Sequence, residues 1–167
     1  MAYSIYTVAG AQPIANTETS AKQYLGQIVR GYDSTYGEAE FIYLLGVANT
    51  IVGSVVGYNT TTWQTTLLTA TLAKNTGMPI AVAMSANVAT QYGWYQISGS
   101  AVMKKETIGF NPGVAVFFSA TAGRVRSTAS AGIQMLGARS ANLATVVTTT
   151  STVVVMIDRP HAQGQIT

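Results

Sequence analysis

From residue 24 onward the chain is built of short apolar runs cut by turn residues. The runs occupy residues 24–31, 40–48, 51–58, 65–73, 78–86, 92–103, 113–120, 123–127, 132–138 and 151–158. Val, Ile, Thr and Tyr dominate them, and Gly, Asn, Asp and Pro fill the gaps, which is the composition of a pleated, half-buried surface between turns. About ten short strands at this spacing predict an all-β fold, an antiparallel β-barrel or β-sandwich. No stretch carries a capped apolar stripe of helical period. Residues 20–28 and 138–146 offer the best places for one short helix.

Residues 1–23 mix apolar side chains with Gln, Pro, Asn, Thr and Ser and follow neither period. They predict an extended N-terminal arm, leaving residues 24–167 as a single β domain. Tyr3, Ile5, Tyr6 and Val8 give the arm something to dock with, either on a neighbouring subunit or on its own domain.

Several runs are apolar on both faces. In EFIYLLGVA (40–48) both alternating sets are nonpolar, and VVVMI at 153–157 is continuous. A strand with one wet face does not read this way, so a second layer or another subunit should cover the outer face. Residues 91–102, QYGWYQISGSAV, concentrate aromatics in the same manner. Strict alternation places Trp94, Gln96 and Ser98 on one face and Tyr95, Ile97, Gly99 and Ala101 on the other. Tyr95 then faces the core, while Trp94, with Tyr92 nearby, lies on a half-polar face covered by assembly or by the arm. An exposed Trp94 cluster would instead suit a carbohydrate-binding module.

Composition narrows the possibilities. In 167 residues charged side chains make up 9% and hydrophobic ones 48%, so the chain has ample apolar surface to fold and too little charge to coat a monomer in the usual way. Assembly is the expectation. The net charge of +3 reflects scarce acids rather than a basic stripe, which argues against nucleic-acid binding. Residues 41–73 carry no charge and include Gly53 and Gly57 at GxxxG spacing, but Asn49, Thr50 and the polar run 59–64 interrupt any span long enough for a membrane helix. The opening residues have neither a basic n-region nor a long apolar h-region, which speaks against a secretory signal.

Candidate chemistry is sparse. There is no cysteine, hence no disulfide, thiolate metal site or cysteine nucleophile. Glu38 and Glu40 share a face at strand spacing, where carboxylates usually solvate an edge or pair with an arginine. His161 stands near Asp158 without a G-x-S-x-G elbow to expose a serine. No phosphate loop, calcium loop or histidine cluster occurs, so no catalytic, cofactor or metal site is expected. Arg124 and Arg126 share one face of a short run and suit a partner's acidic edge.

The stretches YGEAEFIYLLGVA (36–48), QYGWYQISGSAV (91–102), TAGRVRSTASAGIQMLGARS (121–140) and IDRPHAQGQ (157–165) together resemble bacteriophage head decoration, or capsid cement, proteins. The resemblance implies a non-enzymatic virion protein that assembles in the host cytoplasm. It would bind the major capsid protein on the outer surface of the shell and stabilise it as a homo-oligomer, often a trimer. The interface candidates are Tyr3, Ile5, Tyr6, Val8, Tyr92, Trp94, Arg124 and Arg126. A tail or fibre component shares the same β-rich composition.

Overall fold

The computed structural model describes residues 3–6 and 11–165. Strands make up 45% of the chain and helix 4%, so the all-β reading stands. In chain order the strands are β1 (Ser4–Ile5), β2 (Thr17–Glu18), β3 (Ile28–Asp33), β4 (Gly37–Leu45), β5 (Val55–Tyr58), β6 (Thr65–Leu67), β7 (Ile80–Ala83), β8 (Tyr92–Lys104), β9 (Ala115–Phe118), β10 (Val125–Arg126), β11 (Gln134–Ser140) and β12 (Thr152–Ala162). Each of the ten predicted runs overlaps a strand. The two-residue strands β1 and β2 lie in the predicted arm.

The single helix among the described residues differs from expectation. It is α1 (Ala70–Asn75), inside a run read as a strand, and neither 20–28 nor 138–146 is helical. Thr69 caps it, its hydroxyl accepting from the Leu72 backbone N–H at 3.3 Å, and Ala70, Leu72, Ala73 and Lys74 are good helix formers. That local signal outweighs the threonines that made 65–73 look like one strand.

All pairings between these strands are antiparallel, in one sheet ordered β1-β3-β4-β8-β12-β11-β9-β10, with β5, β6 and β7 branching from β8. The sheet does not close into a barrel; it is sandwich-like. β8 is the hub. Its first half pairs with β4 and its second half with β12, while β2 and β7 also bond to the first half.

Three apolar clusters fill the interior. The largest gathers β12, β9, β10, β11, α1 and the second half of β8 around residues such as Val155, Phe118, Met135 and Met103, all 0% exposed. A second joins Phe41, Tyr43 and Trp94 to Tyr3 and Ile14 of the N-terminal segment. The third packs Tyr95 and Ile97 against Ile42, Leu44, Val56 and Ala83. The described part of the N-terminal segment therefore lies on its own chain. Tyr3 meets Phe41 edge to face at 4.9 Å, and its hydroxyl donates to the Ser100 carbonyl at 3.1 Å.

One irregularity positions the surface described next. Between the pairs Glu40↔Ser98 and Phe41↔Gln96, β8 carries one residue more than β4. The extra residue is Ile97, and the β-bulge reverses the alternation beyond it. Trp94 and Gln96 lie on the face of Tyr43 and Phe41, whereas Ser98 lies on the opposite face with Glu40. Trp94 and Ser98 thus do not share the face that strict alternation assigns them. Gly99 follows the bulge at φ +92°, and a Cβ there would stand 2.5 Å from the Glu38 carbonyl oxygen.

Candidate interaction surface

Cross-strand register builds a polar row on the outer face of the sheet. Arg30 of β3 pairs with Glu40 of β4, Glu40 with Ser98 of β8, and Ser98 with Asp158 of β12. Paired residues in antiparallel strands point to the same side, so these four side chains line up across four strands. Arg159, at φ +40° in an irregular stretch of the β11–β12 pairing, turns its guanidinium into the row. Glu40 accepts from Arg30 Nε at 3.2 Å through one oxygen and from Arg159 Nη2 at 2.9 Å through the other. The carboxylate is 17% exposed and the two arginines 59% and 60%, so the acid is sheltered beneath two solvated cations. An open cleft joins these groups with Glu38, Ala39 and Asp158.

Aromatic and aliphatic side chains border the row on the β3 side. β3 alternates between buried and exposed positions and turns Ile28, Arg30 and Tyr32 outward. Tyr32 lies opposite Glu38 and opposite Ser4 of β1. Tyr6 continues from β1, its backbone N–H bonded to the Arg30 carbonyl at 3.2 Å. Partial desolvation and the neighbouring Glu38 carboxylate hold its phenol above the ordinary tyrosine range. Tyr6 and Tyr32 are each 54% exposed, and Tyr24, just before β3, is 87% exposed.

The candidate residues from sequence separate into three groups. Tyr3 and Trp94 are buried and Ile5 is half-buried, all within the same apolar cluster. Trp94 has 0% exposure and meets Tyr43 edge to face at 5.0 Å, so its ring has no surface on which to stack a sugar. Its cover is the chain's own N-terminal segment and sheet. Tyr92 is half-buried and stacks on Tyr43 at 6.4 Å. Tyr6 alone among these aromatics stands at the outer face. Val8 lies outside the described residues.

Arg124 and Arg126 flank buried Val125 on β10 and are both half-buried. Arg124 Nη1 donates to the Lys105 carbonyl at 3.0 Å, which turns that guanidinium toward its own chain. Lys105 is itself 1% exposed. Its ammonium donates to the carbonyls of Ile108 at 2.7 Å and Glu106 at 3.2 Å, and burial lowers its pKa. The Glu106 carboxylate accepts from the Ser119 hydroxyl.

Of the acid and base candidates, Glu38 and Glu40 do share the outer face, with Glu40 engaged by two arginines. His161 is exposed on β12 opposite Leu136, and no hydrogen bond joins it to Asp158. No group of three His, Asp or Glu suited to holding a metal occurs among the described residues, and no helix is long and apolar enough to cross a membrane.

Sequence reasoning missed Arg30 and Arg159 as the partners of Glu40. The first was within reach: a tight turn from Asp33 to Gly37 sets Arg30 opposite Glu40 by counting. The second depends on β12 returning beside β8 from far along the chain, and no local pattern announces it. No protein-family model matches the chain, and no curated protein or solved structure matches it either.

Proposed function

We propose that this chain is a non-enzymatic virion structural protein that binds the outside of a phage capsid and stabilises it as a decoration protein. Its partners are the major capsid protein and further copies of itself, with a trimer favoured by the family resemblance. The observation that carries this reading is the outer face of β1 and β3, where Tyr6, Ile28 and Tyr32 stand exposed beside an ion cluster in which Glu40 binds two arginines of its own chain. Tyrosine presents a large apolar area and a polar tip at low entropic cost, and is enriched where proteins meet. Such a face suits many repeated modest contacts around a shell, whose avidity removes the need for one deep pocket.

The engagement of Glu40 by two cations and the exposed, separate position of His161 also fit a role without catalysis. Imaging the native particle decorated with an antibody fragment against this chain tests the reading. Density at symmetry-related positions on the outer shell is expected. Density confined to the tail or fibres, or absence of the chain from purified particles, overturns it.

A further inference from the structure

The VVVMI run of β12 has one face in the core. Val153, Val155 and Ile157 are buried there at 2%, 0% and 1% exposure. Its other face carries Val154, half-buried, and Met156, 51% exposed. The expectation that a second layer covers this face is not met within the described chain at Met156. β12 is an interior strand with β8 and β11 bonded on either side, so the uncovered feature is a side-chain surface, not a strand edge.

The neighbours of Met156 give this surface a direction. Register places Ser100 on one side of Met156 and Arg139 on the other, and Asp158 follows two positions along β12. Leu136, Gly137, Ala138 and Met156 form a shallow recess between Arg139 and Asp158. Gly137, at φ +74°, has no side chain to fill it. Both charged groups are exposed, and neither belongs to either ion pair among the described residues. The nearest bond is from Arg139 Nη1 to the Gly113 carbonyl at 3.2 Å.

An apolar centre with a cation on one flank and an anion on the other is complementary to its own copy turned through 180°. We propose that this face is a two-fold contact between two copies of the chain, with Met156 of each seated in the other's recess and Arg139 of each against Asp158 of the other. A lone exposed charge contributes little to affinity, but two desolvated pairs around an apolar centre also fix the register of the contact. The inference rests on the self-association included in the proposed function. It concerns one contact, which makes dimers or links larger rings, and leaves the ring number open.

Sedimentation equilibrium over a range of concentrations tests it, with circular dichroism to check folding. Arg139→Asp and Asp158→Arg, each alone, should weaken self-association about tenfold or more, because each sets like charges together. Mixed one to one, the two variants should associate as the wild type does, since every contact again joins opposite charges. Met156→Asp, at an exposed position, should remove the two-fold contact of a folded chain, leaving monomers or unlinked rings. A wild type that stays monomeric throughout, single variants that associate normally, or a mixture that is not restored overturns the proposal. Particle imaging reads location on the shell and sedimentation reads this contact, so failure of one is distinguishable from failure of the other.

Discussion

Arg159 of β12 reaches past β8 to place Nη2 2.9 Å from Oε2 of Glu40 on β4. The bond spans 119 positions of sequence and ties two strands that share no backbone pairing. Replacing Glu40 with Gln removes the charge and leaves two arginines facing each other. Exposed pairs are worth little singly, but here one sheltered acid serves two cations. We expect Glu40→Gln to lose about 1 kcal/mol, measured as a lower urea midpoint at unchanged slope. The loss should shrink in high salt.

Trp94 is held as core. Trp94→Ala should cost about 3–5 kcal/mol, the usual range for emptying a buried aromatic site. A glycan array should give the same result with wild type as with Trp94→Phe, because the indole has no exposed face. Tyr3 separates packing from hydrogen bonding at the same place. Tyr3→Phe keeps the contact with Phe41 and should cost about 1 kcal/mol for the lost bond to Ser100, whereas Tyr3→Ala should cost several-fold more.

Tyr3 and Tyr95 make stability fall in alkali. Burial is the main cause that pushes each phenol up to about 12 from 10.0. The folded chain therefore disfavours the phenolate, and the unfolded chain ionises first. Stability from these groups is intact below pH 10 and is lost as pH rises from there through about 12. Lys105 works in the opposite sense, since burial lowers its pKa and deprotonation favours the folded form. Urea melts on both sides of pH 10 should show a net loss, and Tyr95→Phe should flatten it.

Lys105 also fills space. Its stem is buried and its ammonium serves two carbonyls of the turn that follows. Lys105→Ala should cost about 2–4 kcal/mol by leaving a cavity and an unbonded Ile108 carbonyl. Chemical denaturation of a folded variant gives the value directly.

Gly99→Ala should disturb the bulge and the polar row together. Its positive φ strains any side chain, and the close Glu38 carbonyl leaves no room for a Cβ. A loss of about 2 kcal/mol or more is expected, accompanied by faster exchange of the amides that join β4 to β8.

Much of the strand content was legible because β-branched and aromatic residues cluster in runs bounded by turn residues. The burial of Tyr95 in the chain's own core was legible too. Alternation failed at Ile97, where one extra residue on β8 turns Ser98 away from Trp94; a bulge depends on the partner strand and leaves no period of its own in the run. The helix at 70–75 was hidden because its threonine cap and alanines sit inside a threonine-rich strand pattern. For the site, the aromatic side chains of the N-terminal segment were legible, and Tyr6 among them is exposed, while Arg159 required the long return of β12. Trp94 had to be covered by something, and the sequence left open whether that cover was a neighbour or the chain's own beginning.

The bond from Tyr3 to Ser100 joins groups 97 positions apart, and this has a consequence during synthesis. A growing chain exposes Tyr3 and Ile14 long before β8 has been made, so these side chains have no place to settle until Trp94 arrives. Until β8 has emerged, Phe41 and Tyr43 lack both the Trp94 strand and a stable lid. Early docking is delayed by the distance between contacting residues, and the interval is when stray association is most to be feared. The segment bearing Tyr3 and Ile14 is made before β8 and locked late, closing over the aromatic cluster only after the strand beneath it has been delivered.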